Sequence, residues 1–108
     1  MSYPQPKLIH WNVEIDGELT EQAMCHKLES LGYTVNRYIY PPGSYFPPHD
    51  HSVDKVDGIL TGRFKISLLN MSLTLESGDC LEVPKGITHS AEVIGYEPVL
   101  SLDAVKIE

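Results

Sequence analysis

At 108 residues, 42% apolar and 21% charged, the chain has room for one compact domain of ordinary globular composition. A formal charge of −7 sets it against a nucleic-acid or anionic membrane partner, both of which need clustered Lys and Arg. Two cysteines, Cys25 and Cys80, are too few for a disulfide scaffold, and no apolar run approaches the roughly 18 residues of a membrane span, so a cytoplasmic protein with free thiols is expected.

Ser2 to Pro6 carry two prolines and read as an extended arm. From Leu8 to Ile15 the residues Ile9, Trp11, Val13 and Ile15 alternate and predict a first strand, closed by the turn signal Asp16-Gly17. One short helix follows. Thr20 suits its N-cap, Glu21 favours the positive end of its dipole and Gly32 suits its C-terminal end. Within it, Ala23, Met24, Cys25, Leu28 and Leu31 form an apolar stripe for packing. His26 on this helix and His10 before it have no motif around them and read as surface residues.

Beyond Tyr33 the texture changes to short β-like runs separated by Gly and Pro. These are Val35–Tyr40, Val56–Leu60, Phe64–Leu69, Ser72–Glu76, Cys80–Val83, His89–Val93 and Val99–Ile107. Phe64, Ile66 and Leu68 alternate with Arg63, Lys65 and Ser67, as in a half-buried strand. Asn70-Met71 reads as a tight hairpin turn. Many short strands at regular spacing predict an all-β barrel or sandwich, and no linker divides the chain: 1–32 form an arm, strand and helix, and 33–108 the barrel of a single domain.

Two stretches carry chemistry. In Gly43-Ser-Tyr-Phe-Pro-Pro-His49-Asp50-His51, histidines two apart on a strand share a face and can hold one metal ion as neutral imidazoles. In Gly78-Asp-Cys-Leu-Glu-Val-Pro84-Lys-Gly86-Ile-Thr-His89, Pro84 ends a strand, Gly86 frees a turn and His89 returns toward the interior. Tyr38, Tyr40 and Tyr45 lie where they can line a pocket. Cys80 alternates with Leu81 and Val83 and is expected to face away from them.

Together the two stretches resemble the paired motifs of the cupin superfamily. Gly43, His49, His51 and Gly62 match the first motif in register, and Gly78, Pro84, Gly86 and His89 match the second, over roughly Tyr33 to Ile107. The resemblance implies a jelly-roll β-barrel, a divalent metal held by three histidines and a carboxylate, and pairing into a homodimer, with the N-terminal strand and Trp11 as interface candidates. Two positions depart from the pattern: the family glutamate falls on Lys55, and the final asparagine on Val93. Asp57, on the face of Lys55, or Asp54, brought inward by a bulge, is then the candidate carboxylate ligand, with an ion pair to Lys55 as the competing role.

A metal site of His49, His51, His89 and Asp57 suits Fe, Mn, Ni, Cu or Zn. The resemblance implies a metal-dependent enzyme acting on a small molecule, foremost an oxidoreductase of dioxygenase type. There Asp57 ligates or accepts protons, and Lys55 binds an anion or neutralises the carboxylate. The competing expectations are a non-catalytic module that binds a sugar or acid, and a metal-free relic of the fold.

Overall fold

The period-two patterns of the sequence become two facing antiparallel sheets in the computed structural model, which describes residues 4–106. Among these residues there are nine strands and two helices: β1 (Lys7–Ile9), α1 (Val13–Asp16), α2 (Glu21–Ser30), β2 (Thr34–Tyr40), β3 (Tyr45–His49), β4 (Lys55–Thr61), β5 (Arg63–Leu68), β6 (Met71–Leu75), β7 (Cys80–Val83), β8 (His89–Ile94) and β9 (Val99–Val105). One sheet has the order β1-β7-β4-β9-β2 and the other β3-β8-β5-β6. This is the jelly-roll architecture expected of a cupin.

Side-chain alternation gives the five-stranded sheet two different faces. Ile59, Leu81, Val83 and Val99 turn inward and meet Phe64, Ile66, Leu68, Ala91 and Val93 of the other sheet. Val56, Leu60, Cys80, Leu102 and Ala104 turn outward and are covered by Met24 and Leu28 of α2. Each Leu or Ile buried in this way stabilises the fold by about 2 kcal/mol relative to its exposed form. Cys80 does face away from Leu81 and Val83, and burial pushes its thiol up to about 11, so it is inert. α2 itself begins as expected, with Thr20 Oγ1 accepting from the Ala23 amide, and ends with Gly32 at φ +95°. Leu31 and Cys25 lie outside its buried stripe: Leu31 is exposed and Cys25 only partly covered.

Three local expectations are corrected. The segment Leu8–Ile15 is not one strand. β1 stops at Ile9, and Val13–Asp16 forms a helical turn, so two helices precede the barrel rather than one. Asn12 drives this, because its side chain accepts from the Glu14 amide while its own amide donates to Asp16. The alternation of Val13 and Ile15 carries no burial, since both are exposed. The β5–β6 hairpin turns at Leu69-Asn70, whose φ values of 50° and 63° suit a right-twisted ribbon, and Met71 already belongs to β6. Finally, His49 and His51 do not share a strand: β3 ends at His49 and His51 lies in the loop beyond it, while the two prolines of β3 are tolerated because it lies at the edge of its sheet. The expected arm at Ser2–Pro6 lies partly, and the last residue of the expected strand Val99–Ile107 wholly, outside the described residues.

The motif glycines shape the framework around the site. Gly62, between β4 and β5, has φ +83°, and a Cβ there would stand 2.5 Å from the Pro98 carbonyl oxygen. Gly86 has φ +81° in the turn Pro84–Ile87, which delivers the chain into β8.

Candidate metal centre

The two motif stretches meet at one end of the barrel. β3 and β8 pair antiparallel, with a bulge between Phe46 and His49 that sets His49 directly opposite His89. His51 lies in the loop after β3. Its carbonyl accepts from the Gly86 amide at 2.9 Å, which ties it to the Pro84–Gly86 turn preceding His89. Asp54 strengthens the same junction by accepting from the Lys85 amide at 2.8 Å. It therefore serves the loop, and it is not among the residues lining the central cavity.

His49, His51 and His89 offer nitrogen atoms that all lie within 4.8 Å of one another. Their ring centroids are 4.9 Å (His49–His51), 4.4 Å (His49–His89) and 5.4 Å (His51–His89) apart. Two of the rings are oriented by backbone. His49 Nδ1 donates to the Pro47 carbonyl at 2.7 Å, and His89 Nδ1 to the Ile87 carbonyl at 2.9 Å, which leaves each Nε2 as a lone-pair donor. His51 Nε2 is buried and has no hydrogen-bond partner among the described residues. Burial, then the Lys55 charge and the two neighbouring imidazoles, holds the His51 pKa below the ordinary value. Burial also lowers that of His89, against its hydrogen bond to Ile87. Neutral imidazoles with free nitrogens, one of them an orphaned buried atom, fit a divalent ion.

These histidines form one wall of an open-mouthed cavity of about 340 Å³, a size suited to a small molecule. Phe46, Phe64 and Ala91 extend that wall, and the opposite wall comes from the inward face of β2, β4 and β9. Tyr38 and Tyr40 line the cavity, whereas Tyr45 does not. Lys55 points into it with its side chain 11% exposed, and its Nζ lies 3.0 Å from Asp57 Oδ1. Asp57 is buried and stands outside the three-histidine group. Burial works against the Lys55 charge, but Asp57 and Asp103 outweigh it and raise its pKa.

Asp103 and Tyr40 complete this polar wall. Asp103 pairs across the strands with Asp57 in the β4–β9 ladder. It accepts from Tyr40 Oη and Ser101 Oγ, each at 2.5 Å. Burial, and after it the Asp57 charge, pushes the Asp103 carboxyl above the ordinary range against those hydrogen bonds and Lys55. Burial and the bond to Asp103 push the Tyr40 hydroxyl strongly upward. Sequence reasoning missed Asp103. Its signal was an acid in phase with Ser101 inside the otherwise apolar run Val99–Val105.

His10 and His26 are exposed and far from this arrangement, although His10 Nδ1 contacts Asp79 at 2.7 Å. Among the described residues no helix is long and apolar enough to cross a membrane.

The family profile described as "Cupin domain" matches residues 36–105. Among curated proteins, germin-like protein subfamily 2 member 1 of Arabidopsis thaliana is 34% identical over 77 residues, covering 66% of this chain and 35% of that protein. The rhicadhesin receptor of Pisum sativum is 29% identical over 77 residues, covering 66% of this chain and 36% of that protein. The chain thus spans about a third of the length of these relatives. Among solved structures, a cupin superfamily protein from Desulfitobacterium hafniense superposes on 100% of this chain and 83% of its own, with a TM-score of 0.64 at 15% identity.

Proposed function

The chain belongs to the cupin domain family, and from that premise we propose that it is a metal-dependent enzyme acting on a small molecule. The observation that carries this reading is the buried, unpartnered Nε2 of His51 beside two imidazoles already oriented to offer theirs. His49, His51 and His89 would hold the ion. Such a divalent ion supplies Lewis-acid polarisation of a substrate oxygen and, for Fe, Mn, Ni or Cu, redox chemistry as well.

The chain's own residues do the rest. Lys55 and Asp57 neutralise each other 3.0 Å apart, so Asp57 serves Lys55 and leaves the ion to nitrogen donors. Phe46, Phe64 and Tyr40 exclude water from the apolar side of the cavity and position a planar substrate. A redox metal in an all-nitrogen set makes an oxidoreductase the leading form of this function, and a homodimer with no nucleic-acid partner belongs to the same reading.

Elemental analysis of the purified protein tests it. Wild type is expected to carry about one equivalent of a first-row transition metal, and a His49→Ala/His51→Ala double variant none. Wild type that stays metal-free after reconstitution with Fe, Mn, Ni, Cu or Zn sinks the reading. A second reading, a non-catalytic binding module for a sugar or acid, is favoured by Lys55 standing where the family pattern has glutamate. It predicts ligand-dependent thermal shifts without turnover.

A further inference from the structure

Asp57 and Asp103 are two buried carboxylates on adjacent strands that share a single cation. They face each other in the β4–β9 register, and Lys55 Nζ is bound to Asp57. Asp103 instead takes two hydroxyl hydrogen bonds, from Tyr40 and Ser101. Both carboxylates line the cavity that His49, His51 and His89 close on the other side. Such a pair in a desolvated place with one fixed cation carries one uncompensated charge, and the member without the ion pair is the one disposed to gain a proton. The titratable groups lining the same cavity are Asp57 and Lys55 on β4, Tyr38 and Tyr40 on β2, and the three imidazoles across it, while Ser101 on β9 donates its hydroxyl to Asp103.

We propose that Asp103 is the proton-accepting catalytic residue of this site, and that the substrate class is small carbonyl compounds with an acidic C–H or O–H beside the carbonyl. The assignment rests on the metal-dependent reading above. In the step, the substrate C–H bond breaks and its proton forms an O–H bond on Asp103. The released electron pair moves onto the substrate's carbonyl oxygen through a new C=C bond, and nothing is oxidised. Lys55, with its Nζ 3.0 Å from Asp57 Oδ1, offsets the charge of that carboxylate. The buried pair and its lysine then reach zero net charge, which is what makes Asp103 the stronger base. Tyr40, which lines the cavity, orients the Asp103 carboxylate by donating its hydroxyl to it. Burial and the Asp57 charge place the Asp103 pKa above that of an ordinary aspartate, closer to working pH, where general bases act best.

Two readouts on the zinc-loaded protein test the proposal. The first is hydrogen–deuterium exchange at the carbon positions of hydroxyacetone in D₂O, followed by NMR. Wild type is expected to exchange above the buffer rate, and Asp103→Asn to lose about 100-fold or more of that rate. The second is carboxyl carbon NMR of the aspartates against pH, which works whether or not the chain turns anything over. One resonance, absent from Asp103→Asn, is expected to titrate above the ordinary range. It should move down by about one pH unit or more in Asp57→Asn, where the like charge is gone, and up in Tyr40→Phe, where a bond to the ionised form is lost. Exchange by Asp103→Asn at the wild-type rate, no exchange by wild type, or an Asp103 that titrates as an ordinary aspartate each overturns the assignment. Metal content of the same samples separates the two ideas. A protein that binds no metal yet shows the raised Asp103 resonance fails as a metal enzyme while keeping its carboxylate pair.

Discussion

At the scale of single residues, Lys55 decides the character of the site. In the metal-dependent reading a carboxylate there would add an anionic ligand, whereas a lysine would leave an ion to the imidazoles, and it pairs instead with Asp57. Lys55→Met should therefore cost about 3 kcal/mol of stability in denaturant unfolding, because it strands Asp57 as a buried charge beside Asp103. It should leave metal content unchanged. The histidines set the pH range. His51 and His89 have lowered pKa values, so both are neutral at and above the ordinary histidine value of about 6.5. Metal affinity should fall as acid protonates these two rings below that pH, which metal titrations at stepped pH will read out. The three histidines were legible in the sequence because their spacing is fixed by a turn and an edge strand. Asp103 was not, because one acid in an apolar strand reads as a solvent-facing residue until the phase of Ser101 is known.

At the scale of elements, legibility followed burial. β5, with one clean buried face, stood out, and β7, buried on both faces, has the bounds expected for it. The end of β3 was obscured because its two prolines break the usual strand pattern, and α1 was misread because Val13 and Ile15 alternate on an exposed turn. α2 depends on a narrow contact: Met24 and Leu28 are the residues it buries, and a Cβ on Gly58 would come within 2.8 Å of Met24 Sδ. Met24→Ala should cost about 3 kcal/mol, measured as a shift of the urea midpoint, with the metal site intact. Gly62→Ala should also destabilise, since both its left-handed backbone and the Pro98 carbonyl oppose a side chain.

At the scale of the whole molecule, the cavity lies where the two sheets meet, with the nitrogen donors on one side and the carboxylates on the other. Metal bound only by the folded chain should stabilise it by about 2.7 kcal/mol at a free concentration 100 times Kd. Calorimetry should show Tm rising on loading and falling with a chelator, and no such response in the double histidine variant.

The same division has a consequence for descent and for engineering. The histidines sit on β3, on β8 and in the loop between β3 and β4, while the lysine, the acids and the tyrosines sit on β2, β4 and β9. Two inheritable modules are thus carried by different stretches of chain. Under the proposed function, substitutions at Asn36, Tyr38, Tyr40 or Asp103 would alter the cavity wall while leaving the three imidazoles in place. A lineage that begins from this scaffold can change its chemistry one strand at a time.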